Sequence, residues 1–404
     1  MTGIPPTGRS AKANSVRARI RSAHPEVEPG AEELSEREAM VLRALVAAYV
    51  GQAQPVASQA LADLIPARIS SASVRSTLAE LQEAGLVAKA HASSGRVPTE
   101  RGLSLFIENL LELPDLGPHH QRLLDRALEG VDATETPRQT SQILSDHTRQ
   151  LGFVVAPRVE RLRLRSVHLV PVSSERVLAV LVAESGAVIQ RIVAQPEPMP
   201  QRELERVGAL LAERVAGRTL IGLRRLLEGE QSRLRHEADD LMRRAWMLGL
   251  AACQGDFGDD DLVIATRLAL LDQPEFADPE RIRGLFSALE TNQQLLALLR
   301  QIARSDQPGA QVDLSISLGA ELGEPSLRGC ALVAVPYGMG GGAGGGDGES
   351  AVGLAVGFGG ESEGIDGDEA LGVLGVIGPQ RMDYGKVIPL VRYCSELMTR
   401  KLQA

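Results

Sequence analysis

Apolar residues recur at helical spacing soon after residue 34, and this pattern predicts a group of short helices. A first helix begins at the N-cap Ser35 and ends at Gly51. A second helix is capped by Ser58 and stops before Pro66, which has no amide proton to continue the helical hydrogen bonds. The apolar stripe of the first helix is formed by Leu42, Leu45 and Tyr49.

A third amphipathic helix is the most informative element of this region. We expect Ser71 to cap it and Gly85 to end it. Val74, Leu78 and Leu81 form one apolar stripe, and Ala72, Ser76, Ala79 and Glu83 lie opposite it, of which the first three are small. So slim a face fits the major groove of DNA. Arg75 lies near the end that a recognition helix presents to bases or phosphates.

Two strand-like runs follow, residues 86–91 and 96–99, joined by a turn rich in serine and glycine. Three helices followed by a small hairpin is the order of a winged helix-turn-helix. The hairpin tip is polar and positively charged, which favours the same interpretation. A three-helix module that contacts other proteins remains the alternative.

Nine residues of this region are the candidate DNA contacts. We predict that Arg75 contacts bases, flanked by Ser73 and Ser76. The hydroxyls of Ser71 and Thr99 lie near helix N-termini, where phosphates bind. The other four candidates belong to the hairpin that forms the predicted wing: His91, Ser93, Ser94 and Arg96. An arginine at the base of a hairpin often pairs internally, so Arg96 also has a purely structural alternative.

Beyond a proline-containing linker, helical and strand-like segments alternate. A helix over 122–151 precedes a meander of three antiparallel strands at 167–172, 177–183 and 188–193. Helices are then predicted at 203–215, 232–250, 279–290 and 293–304. Strands return at 312–318, 329–335, 352–358 and 371–377, before a closing helix over 386–402. This order predicts an α+β multidomain fold with a helical insertion.

The composition describes a soluble globular protein with more than one domain. Apolar residues make up 44% and charged residues 24% of the 404 residues. The sequence has no run of about eighteen apolar residues, which argues against a membrane span, and no secretory signal. Its three cysteines are too scattered for a disulfide framework or a metal site, so we expect a reducing cytoplasm.

Charge is distributed unevenly along the chain. The net charge is −9, yet residues 1–112 hold 12 Lys and Arg against 12 Asp and Glu. Residues 1–33 are rich in Pro, Gly, Ser and Arg, which predicts a disordered basic arm. This arm is interpreted as a solvated leader, an arm that contacts phosphates, or an organelle transit peptide. An acidic body with a locally basic end is compatible with DNA binding by one small module.

No motif predicts catalysis, a cofactor or a metal ion. The histidines lack metal-binding spacings such as HExxH. The glycine-rich stretch 338–368 lacks the Lys and Ser/Thr that follow the glycines of a phosphate-binding loop, so it is interpreted as a flexible insertion between strands. We therefore predict that the protein is not an enzyme and has no cofactor.

Six segments share their residues with a known family. The most specific is Ile377-Gly378-Pro379-Gln380-Arg381-Met382-Asp383-Tyr384, and the others are 54–58, 73–75, 91–99, 152–157 and 217–220. Over about residues 34–404 the chain resembles the heat-inducible transcription repressors of the HrcA family. It departs from the usual pattern of that family at Ala57-Ser58-Gln59 and at Ser76-Thr77, which leaves the operator sequence open.

The resemblance implies an N-terminal winged helix and a GAF-like α+β domain with an inserted helical dimerisation domain. It implies that a homodimer binds an inverted-repeat operator in double-stranded DNA and represses chaperone operons. It also implies dependence on the chaperonin, so that heat stress relieves repression. The alternative is a winged-helix regulator whose GAF-like domain binds a small effector. The predicted divisions are the arm 1–33, the winged helix 34–112, the GAF-like parts 113–195 and 309–404, and the insertion 196–308.

Overall fold

The computed structural model describes most of the chain from residue 34 onward. The predicted arm, the hairpin tip with His91, Ser93 and Ser94, and the predicted strand 352–358 lie outside the described residues. The described residues are 34–66, 69–90, 95–156, 159–195, 198–233, 240–253, 262–265, 270–271, 273–291, 293–303, 314–338 and 370–403.

The N-terminal module begins with a helix that is capped as predicted. Helix α1 spans Glu36–Gln52, and the Ser35 hydroxyl accepts a hydrogen bond from the Glu38 amide. The Glu38 carboxylate accepts in return from the amide and the hydroxyl of Ser35, at 2.8 and 2.6 Å. These hydrogen bonds lower the pKa of Glu38, because they favour its charged form.

Helix α1 extends past its predicted end. Gly51 lies within the helix, and the left-handed position belongs to Ala53, with φ of 55°. The Ala53 amide donates to the Tyr49 carbonyl and closes the last turn. The prediction of an end at Gly51 was wrong because an alanine here adopts the conformation that glycine usually supplies.

The rest of the module has the predicted order of elements. Two more helices are followed by a two-stranded antiparallel sheet and a further helix. Their bounds are α2 Ser58–Leu64, α3 Ser71–Glu83, β1 Val87–Lys89, β2 Arg96–Pro98 and α4 Glu100–Leu105, which continues into a π-helical turn over Phe106–Leu110. Ser58 is the first residue of α2 rather than its cap, which is Ala57. Apolar side chains of the first three helices form one core, including Leu42, Leu45, Leu61, Val74 and Leu81.

Beyond the module, the described strands form two antiparallel sheets. Their bounds are β3 Leu151–Val155, β4 Leu164–Ser173, β5 Arg176–Ala183, β6 Val188–Ala194, β7 Leu262–Val263, β8 Ser315–Leu318, β9 Cys330–Tyr337 and β10 Gly372–Pro379. One sheet has five strands in the order β7-β3-β10-β9-β8, and the other has three in the order β4-β5-β6. The predicted meander is therefore confirmed as a sheet of its own.

The described helices beyond the module pack on the two sheets, and several of them cover both faces of the five-stranded one. Their bounds are α5 Pro118–Leu128, α6 Thr136–Thr148, α7 Gln201–Val215, α8 Leu220–Arg233, α9 Asp240–Cys253, α10 Pro279–Thr291, α11 Gln293–Ala303 and α12 Tyr384–Gln403. Alternate strand residues point to opposite faces, so Phe153 packs in a core with α10 and α11. Val154 and Val333 pack in the core that contains α5, α6, α12 and the N-terminal module. The sheet is thus buried on both sides.

Two helices replace the single helix predicted over 122–151. Gly130 adopts a left-handed conformation, with φ of 73°, after the end of α5. The Asp132 carboxylate then accepts hydrogen bonds from the amides of Thr134 and Glu135 and turns the chain into α6. The region predicted as one helix over 232–250 likewise divides between the end of α8 and α9.

The meander packs on the helices that follow it. Val167, Leu181 and Val193 are buried in one core with residues of α7, α8 and α9. The predicted division between residues 195 and 196, which placed the meander in the GAF-like part 113–195, stays a prediction. Strand-like runs predict that strands form, but they do not specify which sheet each strand joins. Among the described residues, no helix is long and apolar enough to cross a membrane.

Candidate nucleic-acid interface

Helix α3 has one buried and one exposed side, as its periodicity predicted. Val74, Leu78 and Leu81 are buried in the core of the module. From residue 72 to residue 79 the exposed side carries one long cationic side chain among short ones, with Ala72, Arg75, Ser76 and Ala79 all exposed. The helix therefore presents a thin polar surface away from the protein, and Arg75 projects from it.

The N-terminal end of α3 is capped one residue earlier than predicted. The Ser70 hydroxyl accepts from the Ser73 amide at 3.2 Å, so Ser70 is the N-cap and Ser71 is the first helical residue. Ser70 also donates to the Ser73 hydroxyl at 3.2 Å. Successive serines share the same cap preference, which is why sequence alone did not distinguish them. Ser70 is a polar residue of this surface that the sequence reasoning missed.

Charge changes sign along α3. Ser76 donates a hydrogen bond to Glu80 at 3.2 Å, and Glu80 also lies 3.7 Å from Arg37 of α1. Glu83 is exposed further along the helix. The positive end of the helix dipole and Arg75 therefore lie at the opposite end from these two carboxylates. An anionic ligand is favoured at the N-terminal half of α3.

The two-stranded sheet is anchored to the segment between α1 and α2. Arg96 exchanges two backbone hydrogen bonds with Val56, at 2.9 and 2.8 Å, and pairs with Lys89 across the hairpin. A side chain at Gly95 would overlap the backbone of Pro55 and Val56, so this close approach requires glycine. The base of the hairpin is thereby fixed beside the start of α2.

The Arg96 side chain is half-buried at this base. Its Nε is buried and has no hydrogen-bond partner within the described part of the chain. No described carboxylate pairs with it, so the internal-pair alternative gains no support from the described residues. Its predicted contact with DNA stays a prediction.

Thr99 joins the end of the hairpin to the module. It is the N-cap of α4, where its hydroxyl accepts from the Gly102 amide at 3.1 Å. The same hydroxyl donates to the Gly85 carbonyl at 2.7 Å. A threonine hydroxyl has one proton, and here that proton is used inside the protein. Its predicted cap is confirmed, whereas a phosphate contact would require this hydrogen bond to break.

The cysteines are buried, and the described residues contain no grouped metal ligands. Burial raises the pKa of Cys253, Cys330 and Cys394 to about 12, so each thiol stays neutral and is a poor nucleophile near neutral pH. Within the described ranges, no three His, Cys, Asp or Glu side chains are grouped to hold a metal ion.

Comparison with known proteins assigns the chain to a family. A family model described as the HrcA protein C terminal domain matches residues 135–388. A heat-inducible transcription repressor HrcA from Sorangium cellulosum is 34% identical over 369 residues, which cover 91% of this chain and 97% of the relative. The chain belongs to the HrcA family. The resemblance inferred from six short segments is confirmed.

Other HrcA relatives match at similar identity. The HrcA repressor from Nitratidesulfovibrio vulgaris (strain DSM 19637 / Miyazaki F) is 32% identical over 91% of this chain and 95% of its own length. The one from Xanthomonas campestris pv. campestris is 32% identical over 90% and 95%. These relatives are named as heat-inducible transcription repressors, a regulatory rather than an enzymatic function. The expectation that the chain is not an enzyme agrees with that family function.

One solved structure has a similar fold over nearly the whole chain. A crystal structure described as that of a hypothetical protein has a TM-score of 0.54 and 18% identity, and the match covers 92% of this chain and 99% of that chain. At this identity the similarity concerns the fold alone.

Proposed function

We propose that the protein is a DNA-binding repressor in which residues 34–112 are a winged helix-turn-helix and α3 is its recognition helix. The observation that carries this proposal is the exposed side of α3, where Arg75 projects from a surface of small residues. The major groove of B-DNA is about 12 Å wide and admits an α-helix, and short outer side chains allow that helix to approach the bases closely. Because the protein would act on the chromosome, we place it in the cytoplasm.

The contacts proposed for α3 follow from the exposure of Arg75 and Ser76 on that helix. Arg75 is positioned for a bidentate contact with a guanine edge, and the neighbouring hydroxyls of Ser73 and Ser76 for shorter contacts. Ser71 lies in the first turn, where amide protons have no intrahelical acceptor and bind phosphate. The wing, with Arg96 at its base and His91, Ser93 and Ser94 at its tip, is proposed to contact the adjacent backbone. We give Thr99 a structural role only.

A homodimer is proposed because one helix contacts too few base pairs for useful specificity. The outer side of the β4-β5-β6 meander supports this proposal and offers a dimer face. Val170, Leu178 and Ile192 form one row across its three strands. Val170, Val172, Val188 and Ile192 are 46, 55, 52 and 62% exposed. Exposed apolar patches of this kind mark interaction surfaces, and a two-fold axis would bring the same patch from a second copy against it.

Replacing Ile192 with Asp is expected to convert the dimer into a monomer. The introduced carboxylate would be buried against its own copy at the two-fold axis, where like charges and lost solvation both oppose association. Sedimentation velocity at micromolar concentration measures the change. Leu271→Asp is the matched control, because Leu271 is a similarly exposed leucine, at 45%, outside the meander. If both variants dimerised to the same extent, the outer side of the meander would not be the dimer face.

Relief of repression is proposed to act through folding, with the chaperonin restoring the active state. The relatives are named as heat-inducible repressors, and dependence on the chaperonin is what the family resemblance implies. Native proteins are stable by only about 5–15 kcal/mol, so a loss of one or two changes the active fraction several-fold. We also propose that the five-stranded unit is the GAF-like domain and that the meander with α7–α9 is the dimerising insertion.

The experiment that tests the function is a footprint of the full chain on its own upstream region, with and without chaperonin. Protection of an inverted repeat, at lower protein concentration when chaperonin is present, is the expected result. Equal affinity for the upstream region and for random DNA of the same length would contradict sequence-specific repression.

Deleting residues 1–24 is expected to flatten the salt dependence of binding. This segment holds five Lys and Arg and no acidic residue. Each lost phosphate contact lowers the slope of log affinity against log salt by about one. Titrations at four salt concentrations measure the slope, and an unchanged slope would show that the arm does not contact DNA.

A further inference from the structure

The loop between β10 and α12 contains an arginine whose three nitrogens all have partners. The Arg381 guanidinium donates to both carboxylate oxygens of Glu275, through Nε and through Nη2 at 2.9 Å. Nη2 also donates to Gln273 at 2.9 Å, and Nη1 donates to the Val50 carbonyl at 3.2 Å. The Arg381 side chain is only 12% exposed. It joins three segments that are distant in sequence.

Val50 belongs to the N-terminal module. It lies in the last turn of α1, whose final carbonyls have no intrahelical donor. A guanidinium placed there satisfies a free carbonyl and interacts favourably with the negative end of the helix dipole. Arg381 therefore binds the end of α1 with one nitrogen and the body of the protein with the other two.

The preceding residue makes a second contact with the module. The Gln380 side-chain amide donates to the Glu100 carboxylate at 2.6 Å and to the Arg328 carbonyl at 2.7 Å. Glu100 is the first residue of α4. A side chain at Gly319 would overlap the Glu100 carboxylate and the Gln380 amide, so glycine leaves room for this contact. Two adjacent residues thus hold the module at two separate helices.

These hydrogen bonds restrict the orientation of the module on the body, which otherwise associate through apolar contacts. One apolar core runs from α1 of the module to α12 of the body, and such packing is favourable but not directional. Bidentate arginine–carboxylate pairs and short amide hydrogen bonds have narrow angular preferences. We call these contacts of Gln380 and Arg381 the module clamp. In this arrangement the exposed side of α3 stays free, so the clamped orientation is compatible with ligand binding.

We propose that Gln380 and Arg381 are positioning residues that fix the orientation of the N-terminal module and so set the half-site spacing that the dimer accepts. This inference rests on the proposed function as a dimeric DNA-binding protein. Two recognition helices must enter the groove about one helical turn, or a multiple of it, apart. A fixed module binds only an operator with matching spacing, whereas a loosened module tolerates other spacings and loses orientational entropy on binding.

The test compares Arg381→Gln with the unmodified chain on three duplexes. These are the protected inverted repeat, the same repeat with two base pairs inserted between its halves, and one half-site alone. We expect Arg381→Gln to bind the natural repeat about tenfold more weakly, because a loosened second module has a lower effective concentration at its half-site. The loss of affinity caused by the two-base-pair insertion should be smaller in Arg381→Gln than in the unmodified chain. The affinity for one half-site should not change. Arg381→Lys, which keeps the charge but loses the planar fork, should give an intermediate penalty.

A charge-matched control separates positioning from general electrostatics. Arg400→Gln removes a cation that pairs with Asp125 on the surface at 3.4 Å, and it should behave like the unmodified chain. Glu275→Gln should reproduce the Arg381→Gln pattern, since it removes the other half of the pair. An insertion penalty that both clamp variants leave unchanged would overturn the proposal. Equal weakening on the half-site would overturn it too, because Arg381 would then support the fold of the module itself.

A distance measurement keeps this test independent of DNA binding. Spin labels on Glu83→Cys in α3 and Glu396→Cys in α12, both exposed positions, report the module-to-body distance in chains diluted with unlabelled protein. Arg381→Gln should broaden that distance distribution. An unbroadened distribution would overturn the clamp, whereas broadening in a chain that binds no operator would support the clamp and contradict the proposed function.

Discussion

Replacing Arg75 with Ala is expected to weaken operator binding by about 1–3 kcal/mol, the value of a good bidentate contact with a base. Arg75 is exposed on the outer side of α3, and no carboxylate of the described chain pairs with it. The substitution therefore removes an accessible contact and leaves the buried stripe of the helix intact. Electrophoretic mobility shift titrations on the protected repeat and on random DNA measure the two affinities.

The comparison of the two duplexes decides what Arg75 does. Loss confined to the operator would indicate a base contact, whereas equal loss on both duplexes would indicate a phosphate contact. Arg122→Ala is the matched control, because Arg122 is an exposed arginine on α5, outside the N-terminal module. An unchanged affinity of Arg75→Ala for the operator would contradict α3 as the recognition helix.

Replacing Phe153 with Ala is expected to lower the free energy of unfolding by about 3–5 kcal/mol. Phe153 is fully buried on β3, between β7 and β10, in the core that includes α10 and α11. The substitution leaves a cavity in a strand that is covered on both faces, where neighbours have little freedom to collapse. Urea denaturation followed by circular dichroism measures the loss.

The same variant tests whether repression follows the folded fraction. A loss of this size is a large part of the total stability of an ordinary domain, so operator binding should fail at a lower temperature than in the unmodified chain. Leu123→Ala on α5 is the control, because Leu123 is 42% exposed and its loss should change stability by about 0.5 kcal/mol or less. If operator binding by Phe153→Ala failed at the same temperature as in the unmodified chain, repression would not depend on global stability.

Local physics made much of the N-terminal module predictable. The apolar spacing of Val74, Leu78 and Leu81 identified the buried side of α3 and, by elimination, its exposed side. The cap at Ser35 was also predictable, because its partner Glu38 lies three residues away. The exact cap residue of α3 was not predictable, because the neighbouring serines Ser70 and Ser71 have the same cap preference. Such choices depend on fractions of a kcal/mol that the pattern of residue types does not contain.

Non-local contacts were beyond prediction from the sequence. The three partners of Arg381 lie 106, 108 and 331 residues away, and no spacing rule connects an arginine to a carbonyl at that distance. The packing of the meander on α7, α8 and α9 was not predicted for the same reason. Alternating apolar residues indicate that one face of a strand is buried. They do not indicate which apolar layer covers that face. Only the arrangement of the whole chain determines which helices supply that layer.

The contacts of β3 with β9 and β10 have a consequence for biosynthesis. The Tyr337 hydroxyl donates to the Val155 carbonyl at 2.6 Å across 182 residues, and β3 pairs directly with β10. The pairing of β3 with β10 therefore cannot form until the ribosome has synthesised residues 372–379. Until then β3 exposes apolar side chains, and sequence-distant pairings of this kind form slowly and compete with aggregation. We expect newly synthesised chains to expose this strand until its partner strands have been made.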